Sequence, residues 1–465
     1  MKKVAILGAG ISGLSAGYFL NNAGIDFRIF EKQETYGGLA RSFVWHGHYC
    51  DFAAHRFFTT SNEVESILLD LVPMVHHTRK SHLYIKGNWV NDPINPIELL
   101  QFIHLKEKIQ LISELLFKEK MIETDNFQDF VINKHGEYMF NAFFKPYTEK
   151  LFGIKSDQIS VLWAKNKVRL INPFKNINRR SKKFFSYFYY PIDKGYGVIA
   201  DTLYEKVSEN VHLDSPVYSL LKEDGKIIGV QYEEDGNRKQ YFCDAIISTL
   251  PLTLSANLLD LEFNQNYRKV EAVYLLIDRP KVSENHWVYF IDDEIAINRM
   301  VEFKNLSPIN RPDDTSALCA EVTKDVDNPV EKVIEDLIKV GMITREEILD
   351  TKVIRKEYGY PVYHVGYENE LSSVMDSINK AGNFYILGRS AEFIHREVDD
   401  IIASSKHLSE KILTKWDIEA DVIPVQRERM KKTCIVILTY NNVGDTIECI
   451  NSLLKLKGGP YKIFL

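Results

Sequence analysis

The stretch that decides the fold is residues 2–42, KKVAILGAGISGLSAGYFLNNAGIDFRIFEKQETYGGLARS. An apolar run at Val4–Leu7 predicts a buried strand, and the pattern that follows Gly13 predicts a helix. A second apolar run, Phe27–Phe30, predicts another buried strand, which ends at Glu31. Strand, Gly-x-Gly-x-x-Gly turn, helix, strand and terminal acid stand in the order that a dinucleotide-binding βαβ unit requires.

Each glycine of this turn has its own predicted role in dinucleotide binding. Gly8 permits the tight turn, Gly10 lets the backbone approach a pyrophosphate, and Gly13 lets the helix pack closely on the strand. The first helical turn, with Ile11 and Ser12, offers unpaired N–H groups and the positive end of the helix dipole to phosphates. The motif therefore predicts a nucleotide cofactor.

The segment after the second strand indicates which dinucleotide is bound. Glu31 stands where a carboxylate binds ribose hydroxyls, and a double glycine and an arginine follow it. This loop resembles that of the two-dinucleotide-binding-domain flavoproteins, in which it holds FAD. An NAD enzyme has no need of the extension, so FAD is the predicted cofactor. The candidate cofactor residues of this segment are Glu31, Lys32, Gly38, Leu39 and Arg41.

Composition limits the class of protein. The 465 residues, 45% of them hydrophobic, are enough for a sizeable core in one large or several ordinary domains. The net charge of −6 gives no basic field, so nucleic acid is not an expected partner. The five cysteines form no CxxC pair, which argues against a metal site and suits a reducing cytoplasm. No apolar run approaches the length of a membrane span.

The order of predicted elements indicates an α/β fold. A Rossmann-like FAD-binding domain is expected to be discontinuous, with a mainly helical insertion and a mostly antiparallel substrate-domain sheet. The predicted FAD-binding parts are residues 1–75, 196–255 and 350–420. The predicted insertion covers residues 76–195, and the predicted antiparallel sheet covers residues 256–349.

Periodic patterns predict individual elements within these regions. Apolar residues at helical spacing predict one amphipathic helix over Ile97–Lys120 and helical structure over 127–170 and 330–350. Alternating apolar and polar residues over 270–325 predict antiparallel strands.

Five further segments follow the dinucleotide motif in a recognisable order. They are YCDFAAHRFFT at 49–59, KPYTEKLFG at 145–153, the strand pair HWVYF at 286–290 with INRMVEF at 297–303, YGYPV at 358–362, and GRSAEF through DDII at 388–402. With them, about residues 1–415 resemble the UDP-galactopyranose mutase group of FAD-dependent flavoenzymes, related to amine oxidases and protoporphyrinogen oxidases. The resemblance implies a mutase that interconverts pyranose and furanose forms of a UDP-sugar through a reduced-flavin N5 adduct, without net oxidation.

The same resemblance implies roles for individual residues at the substrate. Arg299 is the expected ligand of the departing diphosphate, since the planar fork of an arginine binds phosphate through two nitrogens. A second phosphate ligand aligns with Lys167 or with Arg169. The expected catalytic residues are Arg299, Tyr147, His55 and Arg169. The expected substrate contacts are Arg299, Tyr147, Lys167, Arg169, Phe152, Tyr360 and His395.

Further cofactor contacts are implied outside the opening motif. His55 is expected to lie against the flavin ring, and Arg389 to meet the pyrophosphate or ribityl chain. The expected contacts of this group are His55, Arg56, Val217, Gly388, Arg389, Val398 and Asp399.

The last segment, residues 430–465, resembles the opening strand, helix and second strand of a family-2 glycosyltransferase, although the metal-binding acidic motif of that fold is absent. An ordinary βαβ appendage is the alternative interpretation. If the resemblance holds, a fused or associated glycosyltransferase is an expected partner, besides the nucleotide-sugar substrate and a second copy in a homodimer.

Three functions remain open from the sequence. The first is a flavin-dependent NDP-sugar mutase in cell-surface polysaccharide biosynthesis, favoured by Arg299 and the basic segment 165–183. The second is an FAD oxidoreductase of the amine oxidase or protoporphyrinogen oxidase type. The third is a non-catalytic FAD-binding domain fused to a glycosyltransferase.

Overall fold

The computed structural model describes residues 2–93, 96–116, 123–167, 187–309, 311–418, 433–436 and 461–464. The predicted ligand Arg169, most of the basic segment and most of residues 430–465 lie outside these ranges.

The described strands alternate with helices in the first half of the chain and dominate the middle. In chain order they are β1 (Lys3–Leu7), β2 (Asp26–Phe30), β3 (Ser42–Trp45), β4 (His48–Asp51), β5 (Met74–Thr78), β6 (Ser81–Ile85), β7 (Asn88–Asn91), β8 (Tyr187–Pro191), β9 (Val211–His212), β10 (Val217–Glu223), β11 (Lys226–Glu234), β12 (Asn237–Phe242), β13 (Ala245–Ser248), β14 (Tyr267–Ile277), β15 (Trp287–Phe290), β16 (Ile297–Glu302), β17 (Ser316–Val322), β18 (Ile348–Pro361), β19 (Phe384–Ile386), β20 (Thr433–Val436) and β21 (Tyr461–Phe464).

The described helices are densest within residues 96–167, and the others are spread between the strands. They are α1 (Ile11–Asn22), α2 (Asn62–Leu71), α3 (Pro96–Phe102), α4 (Leu105–Leu116), α5 (Phe127–His135), α6 (Glu137–Met139), a π-helical turn (Phe140–Phe144), α7 (Lys145–Phe152), α8 (Val161–Lys167), α9 (Val198–Val207), α10 (Leu252–Leu258), α11 (Pro329–Lys339), α12 (Tyr367–Lys380) and α13 (Val398–Lys415).

A five-stranded parallel sheet carries the opening motif. Its order is β19-β13-β1-β2-β9, and β1 lies in the centre between β13 and β2. The apolar residues of β1 are almost completely buried because α1 and the crossing elements cover both faces of the sheet. The predicted α/β, Rossmann-like fold is therefore confirmed.

A seven-stranded, mostly antiparallel sheet faces this domain. Its order is β18-β14-β17-β16-β15-β6-β7, and the ladder between β15 and β6 is parallel. Strand β18 starts at Ile348, so the sheet extends beyond the predicted boundary at residue 349. Strands β6 and β7 also belong to it, although the sequence prediction placed them in a mainly helical region.

Two helix predictions were wrong in their extent. The helix predicted over 330–350 ends at Lys339, because Gly341 adopts a positive φ of 72° that stops the helix before β18 begins. The helix predicted over 97–120 is two helices, α3 and α4. The second helix restarts because the Glu107 carboxylate accepts the N–H of His104 at 2.8 Å, as in a capping box.

The C-terminal strands join a separate four-stranded sheet of order β20-β21-β5-β8. Strands β20 and β21 pair in parallel, and β21 pairs in parallel with β5 through Ile463 and Val75. Over the described ranges, no helix combines the length and the apolar character needed to cross a membrane.

A buried lysine ties the helical region to the antiparallel sheet. The Nζ atom of Lys150, on α7, donates to the carbonyl oxygens of Phe290, Asp292, Ile295 and Ile297 at 2.8–3.3 Å. The residue is only 4% exposed, and burial lowers the pKa of Lys150 to about 8, which keeps most of the amine charged at neutral pH. The ammonium therefore fixes α7 against the strands that lead into β16.

Replacing Lys150 with Met is expected to lower the free energy of unfolding by about 3 kcal/mol, because four buried carbonyls lose their donor. Urea denaturation followed by circular dichroism measures the change. Lys145→Met, at an exposed position at the start of the same helix, is the matched control and is expected to change stability by less than about 0.5 kcal/mol. Equal effects of the two substitutions would contradict this role.

Candidate active site

The glycine turn between β1 and α1 forms a cradle for phosphate groups. A Cβ atom on Gly13 would lie 1.9 Å from the carbonyl oxygen of Gly8, so the packing of the protein itself requires glycine there. A Cβ atom on Gly10 would meet only the Cα of Gly38, at 3.9 Å. The space beside Gly10 is therefore left open to something other than the chain, as a closely approaching pyrophosphate needs.

The helix end at this cradle suits an anion. Helix α1 has no side-chain cap and no acidic residue in its first turn, so the N–H groups of Ile11, Ser12 and Gly13 point towards the cradle without a competing carboxylate. Gly37 donates its N–H to the carbonyl of Ala9 at 2.8 Å. This bond holds the Gly38–Leu39 turn next to the glycine turn.

The predicted ribose ligand lies at the carboxyl end of β2. Glu31 accepts the N–H of Ala9 at 2.8 Å and the N–H of Gln33 at 3.1 Å, so its carboxylate is fixed at the edge of the cradle, with Lys32 next in the chain. Arg41 bonds the hydroxyl of Thr35 and stacks on the ring of Phe52, with Cζ 4.6 Å from the ring centre.

The C-terminal motif meets the opening motif in space. Gly388 adopts a positive φ of 105°, and a Cβ there would lie 2.4 Å from Oγ of Ser12. The next residue, Arg389, donates from Nε and Nη2 to the carbonyl of Arg396 at 2.9 and 2.6 Å. The strand end of β19 is thus packed directly against the first turn of α1.

Helix α13 directs its N-terminus into the same region. Glu397 and Asp400 form a capping box at its start, with Val398 as the first helical residue. Burial, reinforced by the neighbouring Asp400, raises the pKa of Asp399 to about 6. Val217 lies at the start of β10, where it pairs with Tyr232.

His55 lies between the two halves of this region. Its ring stacks on Tyr196 with centroids 5.0 Å apart, and its buried Nδ1 atom has no well-formed hydrogen bond to any described residue. Burial, together with the positive charges of Arg299 and Arg389, lowers the pKa of His55 to about 3. The neutral imidazole therefore has a nitrogen available for the polar edge of a bound group.

Three polar residues lie in one row across neighbouring strands. Arg299 on β16 pairs directly with Tyr289 on β15 and with Glu321 on β17. The Nε and Nη2 atoms of Arg299 bind Oε1 of Glu321 at 2.8 and 2.5 Å, and Nη2 also donates to the carbonyl of Ala54 at 3.1 Å. The Nη1 atom makes no hydrogen bond to the described part of the chain.

This geometry changes one expectation about Arg299. The sequence predicted that two nitrogens of its planar fork bind a phosphate, but the carboxylate of Glu321 already occupies the Nε–Nη2 edge. The Nη1 edge is therefore the part of the guanidinium left for an anion. Burial by itself lowers the pKa of Arg299, but Glu321 and the hydroxyls of Tyr289, Tyr360 and Tyr147 outweigh it, so that the pKa is raised and the guanidinium stays charged.

Arg299 lies among polar side chains and stays partly exposed. The carboxylate of Glu321 and the hydroxyls of Tyr147, Tyr289 and Tyr360 lie near its guanidinium, and 23% of its side-chain surface is exposed; these residues together are called the recess below. Burial raises the pKa of Tyr147, and burial and Glu321 raise the pKa of Tyr360 to about 12. Both hydroxyls are therefore protonated at neutral pH and able to donate hydrogen bonds.

The remaining predicted residues are not all brought to this recess. Phe152 is 3% exposed and packs against Trp163 and Tyr363, which leaves little surface for a substrate. The guanidinium of Arg56 lies over the ring of Trp287 at 5.3 Å. His395 approaches Glu397 with its Nε2 atom at 3.0 Å.

The structure describes no side-chain contacts for the other two predicted phosphate ligands. Lys167 ends α8, but its side chain is outside what the structure describes, and Arg169 lies outside the described residues altogether.

Sequence reasoning missed the carboxylate that holds Arg299. Glu321 is 4% exposed in the strand SALCAEV, whose other residues are small or apolar. A lone acid in a buried strand needs a charged or hydrogen-bonding partner, and that signal was present in the sequence. Tyr289 and Tyr196 were missed as well, since nothing local distinguishes them from core aromatic residues.

Residues 11–350 match the family described as flavin containing amine oxidoreductase, and the chain belongs to that family. It is a flavoenzyme of the amine oxidase superfamily, and its cofactor is FAD.

Individual relatives fall into two groups. The chain is 26% identical over 300 residues to protoporphyrinogen oxidase 2, chloroplastic/mitochondrial, of Arabidopsis thaliana. The aligned region covers 54% of this chain and 58% of that protein. It is 25% identical over 167 residues to a probable UDP-galactopyranose mutase of Klebsiella pneumoniae, covering 34% and 43% respectively. The chain thus matches between about two fifths and three fifths of the length of these relatives.

A solved structure shares the whole fold. The crystal structure of reduced UDP-galactopyranose mutase superposes with a TM-score of 0.76 at 21% identity, over 92% of this chain and 98% of the other. At this identity the likeness shows the fold alone.

The low pKa of His55 predicts an acid-sensitive fold in the cofactor-free protein. Between pH 6.5 and about 3 the unfolded chain binds a proton at this imidazole and the folded chain does not, so the free energy of unfolding falls as the pH falls. Replacing His55 with Gln is expected to make that decline shallower by up to about one proton.

Urea denaturation at pH 7, 6 and 5 measures the slope. His46→Gln, which changes a half-exposed imidazole paired with Asp350, is the control and is expected to leave the contribution of His55 in place. A slope in the His55 variant as steep as in the unmodified protein would contradict the prediction.

Proposed function

We propose that the protein is an FAD-dependent mutase that interconverts the pyranose and furanose forms of a UDP-sugar. The observation that carries this proposal is the Arg299 guanidinium, which stays charged inside the recess and keeps its Nη1 edge available beside the loop of His55. A permanently charged guanidinium in such a place suits the diphosphate of a nucleotide sugar.

The residues of the recess supply binding and electrostatic stabilisation. Arg299 would bind the diphosphate and stabilise the negative charge that grows as the bond to the sugar breaks. The protonated hydroxyl of Tyr147 would donate a hydrogen bond to the same group, and that of Tyr360 would do so only by leaving Oε2 of Glu321, which it meets at 3.5 Å. FAD, in its reduced form, supplies the nucleophilic chemistry when it is bound.

The cofactor would be held by the parts of the chain described above. The cradle beside Gly10 would receive the pyrophosphate, Glu31 the ribose, and the capped start of α13 with His55 the flavin end. Arg389 lies between these parts, next to Gly388. These assignments follow from the open space, the fixed carboxylate and the unpaired nitrogen.

An FAD oxidoreductase is the second candidate, favoured by the match to the Arabidopsis protoporphyrinogen oxidase. A protonated amine substrate would be repelled by Arg299, so within this class the carboxylate-bearing porphyrinogens suit the recess better. A non-catalytic FAD domain fused to a glycosyltransferase is the third candidate.

One experiment separates the three functions. The purified protein is reduced with dithionite under anaerobic conditions and supplied with UDP-galactofuranose, and the products are resolved by chromatography. Formation of UDP-galactopyranose with the flavin still reduced is the expected result. Oxygen consumption with an amine or protoporphyrinogen would instead support the oxidoreductase, and bound FAD with neither activity would support the non-catalytic domain.

A further inference from the structure

The backbone N–H and the backbone carbonyl of Ala54, the residue before His55, are both held by a single ion pair. The N–H of Ala54 donates to Oε1 of Glu321 at 3.0 Å, and the carbonyl of Ala54 accepts from Nη2 of Arg299 at 3.1 Å. Because Arg299 and Glu321 also bind each other, the three residues form a closed ring of hydrogen bonds.

This ring joins two parts of the protein that serve different ligands. Arg299 and Glu321 belong to the antiparallel sheet, on adjacent strands β16 and β17. Ala54 precedes His55, whose ring stacks on Tyr196 next to the FAD region. The oxygen Oε2 of Glu321 extends the ring to the hydroxyl of Tyr360, 3.5 Å away on β18.

We propose that Glu321 is a positioning residue that couples an anion bound at Arg299 to the flavin, through the Ala54–His55 segment. The proposal takes from the proposed function only the nature of the anion, a diphosphate. A diphosphate at Nη1 draws on the same guanidinium charge that holds the carbonyl of Ala54. The hydrogen bond from Arg299 to the carbonyl of Ala54 then changes in strength. Because this carbonyl belongs to the peptide bond between Ala54 and His55, the position of His55 changes with it.

A buried carboxylate with a purely structural role would not have this consequence. Glu302, on β16, is completely buried and accepts hydrogen bonds from the N–H groups of Val282 and Ser283 and from the hydroxyl of Ser316. It resembles Glu321 in burial and in being held by several hydrogen bonds, but within the described residues it makes no hydrogen bond with Ala54 or Arg299. Glu302→Gln is therefore the matched control for the loss of a buried carboxylate.

The test follows the flavin spectrum of the FAD-loaded protein during titration with UDP and, separately, with inorganic pyrophosphate, while calorimetry measures binding. The unmodified protein and the Glu302→Gln variant are expected to show the same difference spectrum at saturation. Glu321→Gln is expected to bind UDP but to lose at least about three quarters of the spectral amplitude. An undiminished amplitude in Glu321→Gln, or UDP binding to the unmodified protein without any spectral change, would overturn the proposal.

A second variant keeps the test decisive if Glu321→Gln does not fold. Arg299→Lys preserves a positive charge opposite Glu321, but the ammonium is a point charge without the planar fork that directs separate N–H groups at the carboxylate and at the carbonyl of Ala54. It is expected to lose the same share of the amplitude at UDP saturation. Retention of the full amplitude in this variant would overturn the proposal as well.

The flavin midpoint potential without any added anion separates failure of this proposal from failure of the proposed function. If neither UDP nor pyrophosphate binds to the FAD-loaded protein, the mutase assignment and the anion coupling both fail. The positioning of Ala54 by Glu321 is then judged alone: a potential shifted in Glu321→Gln but not in Glu302→Gln supports it, and identical potentials in all three proteins refute it.

Discussion

Replacing Gly10 with Ala is expected to yield a folded protein that retains little FAD. The backbone at Gly10 has φ −72° and ψ 179°, which alanine adopts without strain, and the added Cβ would meet only the Cα of Gly38 at 3.9 Å. The methyl group would instead occupy the space through which the pyrophosphate approaches the start of α1. We expect FAD affinity to fall about a hundredfold.

The ratio of flavin absorbance to protein after dialysis, with the unfolding temperature of the cofactor-free protein, measures this effect. The cofactor-free variant is expected to unfold within about 2 °C of the unmodified protein. Gly13→Ala gives the contrast, since its Cβ would lie 1.9 Å from the Gly8 carbonyl oxygen and must disturb the fold itself. Normal FAD retention by the Gly10 variant would show that the pyrophosphate does not lie beside this glycine.

Replacing Arg299 with Met is expected to lower kcat/KM for UDP-galactofuranose about a thousandfold while FAD remains bound. Met preserves much of the side-chain volume but removes the charge that stabilises the departing diphosphate. The loss should include kcat, because the interaction grows as charge develops on the diphosphate. Steady-state kinetics with the reduced enzyme measure both constants.

The control for Arg299 is an arginine of the same sheet that lies outside the recess. Arg355 on β18 is 63% exposed and pairs with Glu271, so Arg355→Met is expected to change kcat/KM less than about twofold. A loss of equal size in both variants would indicate a general effect on the sheet. Unchanged turnover in Arg299→Met would remove the residue from the reaction.

The opening motif could be predicted because its information is local. Gly8, Gly10 and Gly13 specify turn, approach and packing within six residues; in the structure Gly8 has a positive φ of 101° and Gly13 has no room for a Cβ. FAD as the cofactor followed from the same short segment and its extension at Gly38. A motif that is contiguous in sequence can be recognised without knowing how the rest of the chain folds.

The arrangement around Arg299 could not be predicted in the same way. Its partner Glu321 lies on another strand, and only the register between β16 and β17 places the two residues opposite each other. The break between α3 and α4 was missed because the apolar spacing continues across it while Glu107 caps a new helix. Phe152 was expected at the substrate, but the turn of α7 directs it to Trp163 in the core.

The movement of an oxygen label tests the mutase assignment most directly. UDP-galactopyranose carrying ¹⁸O in the bond between the sugar and the β-phosphate is incubated with the reduced protein, and the label is located by ³¹P nuclear magnetic resonance. If the bond to the diphosphate breaks and re-forms beside Arg299, the label moves into the non-bridging positions of the β-phosphate. A label that stays in the bridging position, with reduced flavin bound throughout, would contradict the account.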